Sequence, residues 1–196
     1  QREIFPLLKR RDLFSGVQNF LLYDFYSGKG QVAEDVFAYS NGAGNERALV
    51  IYNNRFGSTA GWVHISASYL NKETGRLENQ RLHEGLNLLG KPEQFVIFKD
   101  NTSQMEFIRS LAEVMDKGLY FQLDAYNYSV LMDFRIVNDN EHRQYAQLNA
   151  YLNGRGVPSI HNSIKELILS PILQPLHELI NPGALKTQYQ LRLREI

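Results

Sequence analysis

A change of hydrophobic period at Asn138-Asp139-Asn140 constrains this chain more than any other feature. Upstream, apolar residues recur at every second position, the spacing of strands with one buried face. Downstream, Tyr145, Leu148 and Leu152 recur at a helical spacing. The chain therefore reads as mainly β with C-terminal helices. The expected architecture is an antiparallel β-sandwich of about eight strands followed by two or three helices. At 196 residues it is too short for a (β/α)8 barrel of about 250 residues. Four stretches follow: an N-terminal helix and first strand over 1–30, the sandwich over 31–138, helices over 139–182, and a tail over 183–196.

The local signals fill in this outline. A short helix, a turn at Gly16 and a strand over 19–25 open the chain, and Ser27-Gly28-Lys29-Gly30 turns it. Strands over 36–40 and 48–53 flank the Gly/Asn-rich 41–45, a hairpin signal. Residues 61–69 alternate Val63, Ile65, Ala67 and Tyr69 against Trp62, His64, Ser66 and Ser68. A loop over 71–80 and a short strand over 81–89 come next, then a hairpin of 95–98 and 105–108 about 100–103. Ser110 and Glu113 fit a capping box for a helix over 111–117 that Gly118 ends. A strand pair over 119–125 and 128–137 turns at Tyr126-Asn127. Asp139 or Asn140 caps the next helix and Gly154 ends it; Pro158-Ser159 opens a second through Ile160, Ile164, Leu167 and Ile168. Pro171 and Pro175 punctuate a third, carrying Leu173, Leu176, Leu179 and Ile180, and Leu191, Leu193 and Ile196 alternate with charges in the tail.

Composition removes whole classes of function. Without cysteine there is no disulfide scaffold, iron–sulfur cluster, thiolate zinc site or Cys nucleophile. Twenty-one Lys and Arg balance twenty-one Asp and Glu, so no net field draws the chain to nucleic acid or to an anionic membrane. The basic triplet Lys9-Arg10-Arg11 lies in an apolar segment and reads as a solvated helix face. No apolar run spans a bilayer and no signal-peptide layout opens the chain. The chain reads as cytoplasmic, with secretion the alternative. Gln1 in place of Met suggests processing or a piece of a longer protein.

No phosphate loop, dinucleotide fingerprint, HExxH or GxSxG is present, and the five histidines never pair at ligand spacing. No catalytic residue, metal site or cofactor is therefore assigned. Asp139-Asn140-Glu141-His142, the densest polar cluster, reads as a helix cap. The sequons at Asn101 and Asn127 read as turn residues. Aromatics remain: Trp62, Tyr52, Tyr69, Tyr126 and Tyr128 suit either sheet packing or stacking on sugar rings. Trp62, phased opposite Val63 and Ile65, is the one expected to be exposed; Trp62, Tyr52 and Tyr126 are the candidate sugar-binding residues.

Two segments carry a resemblance. Asp35-Val36-Phe37-Ala38-Tyr39-Ser40 with Glu46-Arg47-Ala48-Leu49-Val50-Ile51-Tyr52-Asn53-Asn54 resembles the opening of the β-sandwich that follows the barrel in α-amylase-family glycoside hydrolases. Gly118-Leu119-Tyr120-Phe121-Gln122-Leu123-Asp124-Ala125-Tyr126-Asn127-Tyr128-Ser129-Val130-Leu131 resembles that domain's closing hairpin. Upstream, Phe5-Pro6-Leu7-Leu8-Lys9-Arg10-Arg11-Asp12-Leu13-Phe14 is similar to the last barrel helix and its exit. The resemblance covers about 1–137 and is greatest to large bacterial members in which helices follow the sandwich.

In that family the barrel carries the chemistry, and none of its carboxylate motifs is found here. The resemblance implies a noncatalytic C-terminal accessory region of an α-glucan-acting enzyme. Its partner is the catalytic barrel of the same polypeptide, with weak α-glucan binding as a secondary role and self-association when the region is isolated. The alternative is a stand-alone protein-interaction module that uses its C-terminal helices.

Overall fold

The computed structural model describes residues 10–72 and 74–180 of the protein, with 172–180 as backbone only. The N-terminal apolar segment before Arg10 and the tail over 183–196 lie outside the described residues. Helix α1 (Arg11–Ser15) precedes strands β1 (Leu21–Ser27), β2 (Val36–Ala43), β3 (Glu46–Asn53) and β4 (Thr59–Ser66). A small hairpin of β5 (Tyr69–Leu70) and β6 (Leu77–Glu78) leads to α2 (Leu82–Gly85). Then come β7 (Phe95–Asp100), β8 (Glu106–Ser110), α3 (Leu111–Lys117), β9 (Leu119–Leu123), β10 (Tyr128–Val137), α4 (Gln144–Leu152) and α5 (Ile160–Ile180).

The protein is mainly β with C-terminal helices. Eight strands form one antiparallel sheet in the order β8-β7-β10-β3-β2-β1-β4-β9. Chain connectivity forces this sheet to curl. Laid flat, β8 and β9 would stand seven strand spacings apart, about 33 Å. Yet they are joined only by α3, whose seven residues reach about 10 Å, and Gly118. The two layers facing each other across the core are thus the two ends of a single curled sheet. One apolar cluster fills the inside, with Phe25, Leu49, Ile51, Val63, Phe98, Phe121 and Leu131 from the strands and Leu82, Leu111 and Val114 from the helices.

Several local expectations are corrected. The strands over 119–125 and 128–137 do not pair with each other: β9 bonds to β4, and β10 lies between β3 and β7. Residues 41–43 belong to β2, so the β2–β3 turn shrinks to Gly44-Asn45. The strand over 61–69 stops at Ser66, and a bulge sets three residue steps of β4 against two of β1, so Val63 and Ser66 both turn inward. Residues 81–89 contain the short helix α2, whose first turn is fixed by the Glu84 carboxylate accepting the Arg81 N–H at 2.8 Å. The Ser110 side chain makes no cap bond; the Leu111 N–H donates to the Gln94 carbonyl instead.

The second and third expected helices are one, α5, running through Pro171. Proline strips the Leu167 carbonyl of its intrahelical donor, and the Ser170 hydroxyl takes its place at 3.0 Å. The cap residue of α4 is Arg143, not Asp139 or Asn140, but both of these reach its first turn from upstream, Asp139 accepting the Tyr145 and Ala146 N–H groups and Asn140 that of Gln144. Two compact units result, Gln1–Ile160 and His161–Ile196, so α4 belongs with the sheet. Among the described residues no helix is long and apolar enough to cross a membrane.

Candidate functional site

Curling leaves a seam where the unpaired edges of β8 and β9 face each other. The β8 edge is covered in part by Val157, which exchanges both backbone hydrogen bonds with Glu106. Between the edges opens a cleft of about 780 Å³, a size suited to a small ligand. It is lined by Phe98, Asp100, Phe107, Phe121 and Leu131, by Trp62, Tyr120 and Gln122 of β4 and β9, and by Arg109 of β8 with Asn149, Asn153 and Arg155 of α4 and the turn after it.

Pairing register explains the aromatic lining. Tyr26 of β1 stands opposite Trp62 of β4, which stands opposite Tyr120 of β9, so the three share the outward face in one row. The Trp62 and Tyr120 rings meet edge to face at 5.2 Å, and Tyr120 is about half exposed. A second outward row runs from Phe37 through Tyr52 to Tyr128 on β2, β3 and β10. The sequence candidates are therefore separated: Trp62 sits at the seam, while Tyr52 lies three strands away on the same face. Tyr126 is exposed on the β9–β10 connection at φ +55°, its N–H donating to the Arg55 carbonyl. Tyr69 belongs to the β5–β6 hairpin and donates nothing to the cleft.

The polar lining rests on two arginines. Arg109 donates to the carbonyls of Ile108 at 2.7 Å and Gly154 at 2.8 Å, and lies 5.7 Å from the Phe107 ring centre. Burial pushes its guanidinium below the usual arginine range, and nearby Glu113 draws it partly back. Arg155 donates to the carbonyls of Leu152 and Tyr151 at the end of α4. Two carboxylates also line the cleft, but Asp100 is spent on its turn: it accepts the N–H groups of Thr102, Ser103 and Val130 and the Ser103 hydroxyl. Glu113 is the other, and it lies near Arg109.

Sequence phasing singled out Trp62 but not Tyr120, Gln122, Arg109 or Arg155. Nothing along the chain links these residues; only the curl of the sheet and the return of residues 154–157 along β8 do. No group of His, Asp or Glu among the described residues is arranged to hold a metal ion. Comparison with family models, with curated proteins and with solved structures returned no match.

Proposed function

We propose that this chain is a noncatalytic β-rich accessory region of an α-amylase-family glycoside hydrolase, docking on the catalytic barrel of the same polypeptide and binding α-glucan weakly. The observation that carries the sugar-binding role is the in-register pair Trp62–Tyr120, which lines the cleft together with the amides of Gln122, Asn149 and Asn153. The docking role is supported by the outward face of β1, β2 and β10, where Leu22 and Phe37 are half exposed beside Tyr128.

Titration with maltoheptaose tests the sugar role, because Trp62 is the only tryptophan and its emission reports the seam directly. Binding with a dissociation constant of about 1 mM or tighter is expected. Trp62→Ala removes it. Saturating sugar without heat or an emission change overturns this role and leaves docking standing.

A second reading, a protein-interaction module, is favoured by one observation: Ile168 and Leu169 on α5 are each 45% exposed. A dimer that persists after removal of residues 161–196 counts against it.

A further inference from the structure

The two arginines of the cleft have a property that a neutral glucan does not use. Among the described residues neither Arg109 nor Arg155 forms an ion pair, although Glu113 of the same cleft lies close enough to Arg109 to act on its charge. Their hydrogen bonds go to backbone carbonyls, which fix the guanidinium planes and are not themselves counter-charges. Both line the same cleft, and the Gly154 carbonyl that holds Arg109 immediately precedes Arg155 in the chain. Asp100, the buried carboxylate that lines the cleft, has its oxygens occupied by four donors.

Guanidinium groups held by backbone carbonyls in one cleft, Arg109 partly buried and Arg155 exposed, form a site for an oxyanion, which guanidinium binds through two parallel bonds. The same cleft is lined by the Trp62 and Tyr120 rings. We propose that the seam cleft binds a saccharide carrying an oxyanion, with a sugar phosphate as the best match, its anionic group on Arg109 and Arg155 and its ring against Trp62 and Tyr120. Two guanidinium groups lining one cleft favour a phosphate dianion over a single carboxylate. The stacking half of this proposal rests on the sugar-binding reading above; the anionic half does not.

Calorimetry on the whole chain tests it with four probes: glucose 6-phosphate, glucuronate, glucose and inorganic phosphate. The expected result is that glucose 6-phosphate binds at least about tenfold more tightly than glucose, the difference being lost in Arg155→Gln and shrinking with added salt. Arg155 bonds only to its own helix end, so Arg155→Gln leaves the sheet intact; Arg109→Lys provides a second variant that keeps the charge and loses the planar fork. Glucuronate binding more tightly than glucose 6-phosphate keeps the oxyanion site and places a uronate in it. Inorganic phosphate as tight as glucose 6-phosphate overturns the saccharide half. Equal affinity for glucose and glucose 6-phosphate, unchanged in Arg155→Gln, overturns the oxyanion site while the sugar-binding reading stands. Absence of binding by all four overturns this proposal, while the sugar-binding reading stands or falls on maltoheptaose.

Discussion

The side-chain amide of Asn53, fully buried at the end of β3, donates to the Asp124 carbonyl at 2.8 Å and to the Gly57 carbonyl at the same distance. With the Asn53 N–H on the Asn127 carbonyl, this ties the β9–β10 connection to the middle of the sheet. Asn53→Ala leaves two carbonyls without donors and is expected to destabilise by about 3 kcal/mol. Asn53→Asp, which sets a carboxylate against the same carbonyls, costs more. Urea unfolding monitored by circular dichroism checks the order.

Tyr23 and Ser40 share a buried hydrogen bond of 2.8 Å between β1 and β2. Burial outweighs the Ser40 bond and pushes the phenol from 10.0 up to about 12. A folded-state value raised above the unfolded one gives stability that is present below pH 10 and lost as pH rises towards 12. The loss amounts to about 3 kcal/mol. Tyr23→Phe lowers stability by about 1 kcal/mol at neutral pH but removes this alkaline slope. Urea midpoints measured from pH 8 to 12 separate the two effects.

Glu106 joins three elements: its carboxylate pairs with Arg135 of β10 at 2.7 Å and accepts the Ile160 N–H at the start of α5 at 2.7 Å. Burial pushes its carboxyl up, but the Arg135 and Ile160 bonds and the nearby Lys99 outweigh burial and hold it below its ordinary value. A depressed value gives stability present above about pH 4.5 and lost as pH falls through the folded-state value. Glu106→Gln keeps an acceptor for Ile160 and loses the Arg135 ion pair. Its unfolding midpoint between pH 2 and 6 is expected to change less with pH than that of the unaltered protein.

Gly118 turns the chain from α3 into β9 at φ +79°, and a Cβ there would lie 2.0 Å from the Val63 carbonyl oxygen. Gly118→Ala combines backbone strain with a collision against β4. A loss of at least about 3 kcal/mol is expected, read as a lowered thermal midpoint.

The elements were largely legible because periods of two and of about three and a half leave a mark over a few residues. What pairs with what was not. Tyr126-Asn127 has the composition of a hairpin turn, yet it joins an edge strand to an interior one, which only the curl of the sheet permits. Bulges hid the facing of side chains, at β4 beside Val63 and at β10 where Asp133 adopts φ +56°. Trp62 stood out because its phase sets it outward, but it is only partly exposed, packed edge to face against Tyr120, whereas Tyr126 and Tyr128 are the exposed ones. Arg109 carries no such signal, since its role depends on Gly154, forty-five residues away.

The sheet has two halves that the chain makes separately, β4-β1-β2-β3 with β9 on one side and β7-β8 on the other, and β10 alone joins them. A nascent chain must therefore hold two unfinished half-sheets, each with an exposed edge, until residues 128–137 have been synthesised. Its folding rate is set by long-range closure rather than by the early hairpins, and in that interval the half-sheets are open to pairing with other copies.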